Sequence, residues 1–149
     1  MFGSADGGFK SADTPQHYWA AYDELRALSP RPDVVHDVPT KFGDVRVYQH
    51  GPGRGVPVVL IHGFFLTSAM WWDQVKGLTS DFTVYAMDML GQPGVSIQSK
   101  PMLNPADCAH SIDAVLQGLA LRDVHLVGHS YGAGLPSIQR HERPDGWRP

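Results

Sequence analysis

Hydrophobic positions along this chain follow two spacings. Short continuous runs of β-branched and apolar residues occur at VPVVLIHG (56–63), at FTVYAMD (Phe82 to Asp88) and at Val124 to Val127. Such runs are too short for buried helices and predict strands covered on both faces. Two earlier β-rich runs, Val34 to Val38 and Val45 to Tyr48, flank Gly43-Asp44, whose turn chemistry predicts an antiparallel hairpin. Between these runs the spacing becomes helical. Tyr18, Ala21, Tyr22, Leu25 and Leu28 recur after the cap pair Thr14-Pro15 and stop near Ser29-Pro30. Met70, Trp71, Val75 and Leu78 share one side of a helix predicted over Thr67 to Leu78. Cys108, Ile112, Val115, Leu116 and Leu119 follow a second cap pair, Asn104-Pro105, in a helix that Gly118 weakens slightly. An antiparallel hairpin followed by strand, helix, strand, helix, strand defines an α/β class with a mostly parallel sheet.

Composition narrows the setting. A chain of 149 residues with 42% hydrophobic and 18% charged residues has the size and apolar content of one ordinary domain. A net charge of −3 gives no reason to expect nucleic acid or an anionic membrane as partner. Cys108 is the single cysteine, so no intrachain disulfide forms. The opening MFGSADGGFKSAD lacks the cationic and apolar regions of a signal peptide, and no apolar run nears the roughly 18 residues that span a bilayer. A cytoplasmic protein is expected. The chain divides into a flexible leader (1–13), the main folded part (14–134) and a tail (135–149), LPSIQRHERPDGWRP, whose prolines and arginines show no usable period.

The chemistry concentrates in Gly128-His129-Ser130-Tyr131-Gly132, which fits G-x-S-x-G directly after a predicted strand. That arrangement puts a serine on a sharp turn between strand and helix, its hydroxyl projecting and the first helical amides facing the reacting centre. The flanking glycines leave room for close backbone approach. The pattern alone is weak, but Ile61-His62-Gly63-Phe64-Phe65 ends an earlier buried strand. Acyl transfer needs two amide donors aimed at the developing oxyanion, one after the nucleophile and one from the loop after that earlier strand. The candidates are Tyr131 and, within one position, Phe64. No P-loop or dinucleotide fingerprint is present, the eight histidines lack metal-ligand spacing, and no cofactor or metal is called for.

These features together resemble the N-terminal half of an α/β-hydrolase fold protein: HGF at 62–64, the strand ending in Asp88 before the Gly91-Gln92-Pro93-Gly94 turn, and GHSYG at 128–132. The resemblance covers about residues 34–134 and is to esterase-like members that use serine. Dehalogenases and epoxide hydrolases with an aspartate nucleophile fit less well, because Ser130 stands at that position. It implies Ser130 as nucleophile, Phe64 and Tyr131 as oxyanion donors, and a small-molecule acyl substrate. His62 is then expected to organise the oxyanion loop, not to act as base, and Asp88 to cap a turn, not to be the triad acid. His129, directed away from the reacting centre by strand alternation, is expected to pack.

The family's order of Ser, then acid, then His is not met after Ser130. His141 is the only later histidine, and Glu142 and Asp145 follow it. Pro136 falls where a covering helix should continue, at a cost of about 3 kcal/mol. An improvised site from His141 and Asp145 would have to be held to fractions of an ångström by this irregular tail. The expectation is an incomplete hydrolase sequence, ended early by a frameshift or misplaced stop. Its sheet would be short of helices on one face, and the edge of the Val124 to Val127 strand would be open to association. The alternative is a non-catalytic relative that associates through that edge or folds poorly.

Overall fold

The computed structural model of the protein describes residues 14–135. Helix α1 (Thr14–Ala27) precedes strands β1 (Val34–Thr40), β2 (Gly43–His50) and β3 (Val56–Ile61). A 3-10 turn, Ser68–Trp71, runs into α2 (Trp72–Leu78), with Thr67 as N-cap accepting from the Ala69 amide. Then come β4 (Phe82–Met87), β5 (Ile97–Gln98), α3 (Pro105–Gly118) and β6 (His125–Gly128), and residues 131–135 are helical. Asn104 caps α3 and Pro105 opens it, so the local signals act as read.

The strand order is β1-β2-β4-β3-β6, with β5 added to β2. β2 is antiparallel to β1 and β4, whereas β3 is parallel to β4 and β6. This is the α/β arrangement expected from the alternation of runs. Side chains of β3 and β4 alternate between two cores. Val59, Ile61, Tyr85 and Met87 meet Cys108, Ile112 and Val115 of α3 and Leu135, while Val58, Leu60, Val84 and Ala86 meet Trp71 and Val75. Both strands are therefore apolar at nearly every position. β6 differs: His125 and Val127 pair with Val58 and Leu60 and share their face, yet both are exposed. Among the described residues no helix covers that face of β6.

Four local expectations are corrected. The hairpin turn is Lys41-Phe42, and Gly43 and Asp44 already belong to β2. Gly43 has φ +138, and a Cβ there would run into the Ile97 carbonyl; its glycine serves the approach of β5, a strand too short to show in the sequence. Gly118 permits close packing, since a Cβ would lie 2.7 Å from Val38 Cγ1. Leu135, placed with the tail, is helical and buried in the core, while the rest of the tail and the leader lie outside the described residues.

The fourth correction concerns α1. Of its expected stripe Tyr22 alone is buried, and Leu25 and Leu28 are 38% and 47% exposed. The helix docks through polar groups instead. Tyr22 OH donates to Asp88 Oδ2 at 2.7 Å, the Gly94 amide donates to Tyr18 OH at 2.5 Å, and the Arg26 guanidinium sits 3.5 Å from the Tyr48 ring centroid. Among the described residues no helix is long and apolar enough to cross a membrane.

Candidate active site

β6 ends at Gly128, the chain turns sharply, and helix begins at Tyr131. Ser130 lies in that turn with φ +51, a left-handed conformation that side chains rarely adopt and that costs about 1–2 kcal/mol. Such strain persists only where the surroundings enforce it. Here the His129 amide donates to Ile61 O at 3.0 Å, and the Gly132 and Ala133 amides bond back to His129 O at 2.9 Å and Ser130 O at 3.0 Å. The glycines allow the crossing. A Cβ on Gly128 would collide with the Gly132 backbone, and one on Gly132 would lie 2.5 Å from Ile61 O. Ser130 itself remains exposed.

Gly63 brings the second loop against this turn: a Cβ added there would lie 2.7 Å from His129 Nδ1, 3.3 Å from His129 O and 3.4 Å from Ser130 Cβ. His62 is fully buried. Its Nδ1–H donates to Gly63 O at 2.8 Å, and its Nε2 accepts from the Met89 amide at 3.0 Å. That pair of bonds fixes the neutral tautomer and leaves neither nitrogen to take a proton from Ser130. Gly63 O and the Phe64 N–H belong to one trans peptide, so holding the carbonyl on one side aims the amide to the other. The adjacent amides are engaged: Phe65 donates to Gln92 Oε1 at 2.9 Å and Leu66 to Gly63 O at 3.3 Å. The Phe64 and Tyr131 amides have no acceptor among the described residues. Their rings meet edge to face, 5.3 Å between centroids, and Tyr131 OH donates to Cys108 Sγ at 3.2 Å. Burial pushes the Cys108 thiol up, so it stays protonated at neutral pH.

Asp88 is fully buried and accepts from Tyr22 OH, from the Ser68 amide at 2.7 Å and from the Val95 amide at 3.0 Å. Its carboxylate ties α1, the 3-10 turn and the loop after β4 together, with Gly94 at φ +131 packed against it. His129 is exposed and lies over Gly63, where close packing had been expected. His141, Glu142, Asp145 and Pro136 lie outside the described residues. Among the described residues no cluster of three or more His, Cys, Asp or Glu side chains is placed to hold a metal ion. Sequence reading missed Gln92, quoted only as part of a turn, and the tyrosines of α1. Hydrogen bonds across such sequence distances leave no periodic trace.

Two buried histidines give the fold a pH dependence. Burial holds the imidazoles of His62 and His50 below the ordinary 6.5, and the Arg26 charge adds to this at His50. As pH falls through about 6.5 the unfolded chain takes up protons that the folded chain refuses, so their contribution is whole above 6.5 and is lost on acidification. The urea midpoint is expected to fall between pH 7.5 and 5.5. A flat or rising midpoint over that interval would contradict this assignment.

A central β-sheet with helices on both faces, carrying a serine on a strand-turn-helix beside a glycine-histidine loop, defines the α/β-hydrolase class. Residues 58–144 match the profile of the Alpha/beta hydrolase family, to which this chain belongs. It is 32% identical over 124 residues to carboxylesterase YbfK of Bacillus subtilis, covering 83% of this chain and 42% of that protein. It is 29% identical over 121 residues to the uncharacterized carboxylesterase nap of the same organism, covering 81% of this chain and 40% of the relative. The crystal structure of carboxylesterase CesB (YbfK) superposes with a TM-score of 0.82 at 30% identity, over 89% of this chain and 47% of that one. The chain thus spans somewhat less than half the length of these relatives.

Proposed function

We propose that this chain provides the nucleophile-bearing part of a serine hydrolase acting on an ester or similar acyl compound. The left-handed Ser130 between Gly128 and Gly132 carries the reading, because strain of that kind at the end of a strand has an evident use in projecting a hydroxyl. The carboxylesterase names of the relatives support the same substrate class. Ser130 Oγ bonds to the acyl carbon as its proton passes to a base, and the carbonyl oxygen becomes an oxyanion between the Phe64 and Tyr131 amides. The carbon–oxygen bond to the alcohol then breaks, the alcohol leaving protonated. Water releases the acid and regenerates the serine.

Among the described residues no side chain hydrogen-bonds Ser130 Oγ, and loss of a base costs several orders of magnitude in rate. The 149-residue chain alone is therefore expected to react slowly. Incubation with an alkyl fluorophosphonate, followed by intact mass and peptide mapping, should show slow, single modification at Ser130. It should vanish in Ser130→Ala and in urea-unfolded protein. Labelling that persists in Ser130→Ala would refute the nucleophile, and fast stoichiometric labelling would mean that a base reaches Ser130 from outside residues 14–135.

A further inference from the structure

The loop that carries Phe64 is held from two sides. His62 fixes the Gly63–Phe64 peptide through its carbonyl, as described above. The following peptide is fixed by a side chain from another part of the sheet: Gln92, in the turn after β4, places Oε1 2.9 Å from the Phe65 amide. Phe65 has φ +59 and is 76% exposed, so neither its intrinsic preference nor burial keeps it left-handed. It is held instead by the Gln92 acceptor and by the turn closed by Leu66 N–H on Gly63 O. Gln92 is itself placed by its amide, which bonds Met89 O at 3.3 Å, and the Met89 amide is the donor to His62 Nε2. One short segment, Met89 to Gln92, thus governs both peptides flanking Phe64.

We propose that Gln92 is a positioning residue for the oxyanion site. By occupying the Phe65 amide it fixes the left-handed turn and leaves Phe64 as the loop's oxyanion donor. This rests on Ser130 being the nucleophile. Without the acceptor, the Phe64–Phe65 peptide loses one of its two restraints and the Phe65 amide is released, so the turn that holds Phe64 against its neighbour is less firmly set and the Phe64 amide spends less time aimed at the developing charge. Gln92 never touches substrate; it acts through the backbone.

The test uses the whole chain and the fluorophosphonate, whose reaction forms the Ser130 Oγ–phosphorus bond and expels fluoride, the serine proton passing to buffer. Its phosphonyl oxygen takes the oxyanion's place. Maximal labelling rate and half-saturating probe concentration are measured for wild type, Gln92→Met, which keeps the length and removes the acceptor, and Gln92→Glu, which keeps an acceptor. Losing an oxyanion donor outright costs about a hundredfold or more, so losing its support should cost about tenfold in maximal rate. Half-saturation should be unchanged, Gln92→Glu should recover to within about threefold, and the Phe65 amide should exchange with deuterium faster in Gln92→Met. A simple loss of folded protein would instead lower the labelled fraction in both variants. Should Gln92→Met not fold, Gln92→Asn, too short to reach, takes its place. Labelling of Ser130 at the wild-type rate in the acceptor-free variant overturns the role of Gln92 alone. Wild-type labelling at another residue overturns the nucleophile and this inference with it.

Discussion

Gly132→Ala is expected to cost about 3 kcal/mol or more in urea unfolding, enough to leave little soluble folded protein. The added Cβ would stand 2.5 Å from Ile61 O and 2.6 Å from His62 O, both backbone atoms of the central strand and the loop behind it. A flexible side chain can move aside, but here the helix would have to lift off the sheet. That lift would break the His129 amide's bond to Ile61 O and draw Leu135 from the core. Overpacking in a rigid site commonly costs about 1–3 kcal/mol, and backbone-to-backbone contact belongs at or beyond the upper end. Gly77→Ala supplies the contrast. Nothing lies within 4 Å of a Cβ at that exposed position in α2, so helix propensity should make it more stable by up to about 1 kcal/mol. Equal effects at the two glycines would mean that close approach at the turn is not what selects Gly132.

Asp88→Ala is expected to be the most damaging single change to a polar side chain, at about 3–5 kcal/mol. It would strip the acceptor from the Ser68 and Val95 amides together and leave Tyr22 OH only the Tyr48 hydroxyl, 2.9 Å away. Each buried donor left unpaired costs about 1–3 kcal/mol, with some relief where water enters the vacated space. The damage should spread along the network. α1 is docked by Tyr22 and Tyr18, so its amides should lose protection from hydrogen exchange before the rest of the fold. Asp88→Asn, which keeps an acceptor oxygen but turns donors against donors, should fall between wild type and alanine. If Asp88 were the catalytic acid, both changes would slow Ser130 labelling while leaving the unfolding curve in place.

Much of this fold is legible in the sequence where the signal is local. The runs at β3 and β4 are apolar at successive positions because two helical layers compress the same strands, and composition records that directly. The cap at Asn104 is equally local. The turn at Ser130 was readable because two glycines and a serine at fixed spacing satisfy a backbone crossing that few sequences satisfy. What escaped depends on distant partners. α1 has helical spacing, yet spacing gives only the direction of its side chains, and the surface opposite proved to be a carboxylate and a tyrosine hydroxyl. β5 has two residues and exists because Gly43 lets it approach β2. Gln92 looks like any turn residue until its carbonyl is seen against the Phe65 amide. That bond also engages the Phe65 amide, which spacing alone leaves beside Phe64 as a candidate donor.

Under the proposed function, Ser130 and the amides of Phe64 and Tyr131 form one preorganised site for acyl transfer. A crystal structure of the protein after exhaustive reaction with a fluorophosphonate tests it most directly. Phosphorus is expected on Ser130 Oγ, with its non-bridging oxygen about 3 Å from both amide nitrogens. Phosphorus on any other residue, or an oxygen turned to solvent beyond reach of both amides, would contradict it.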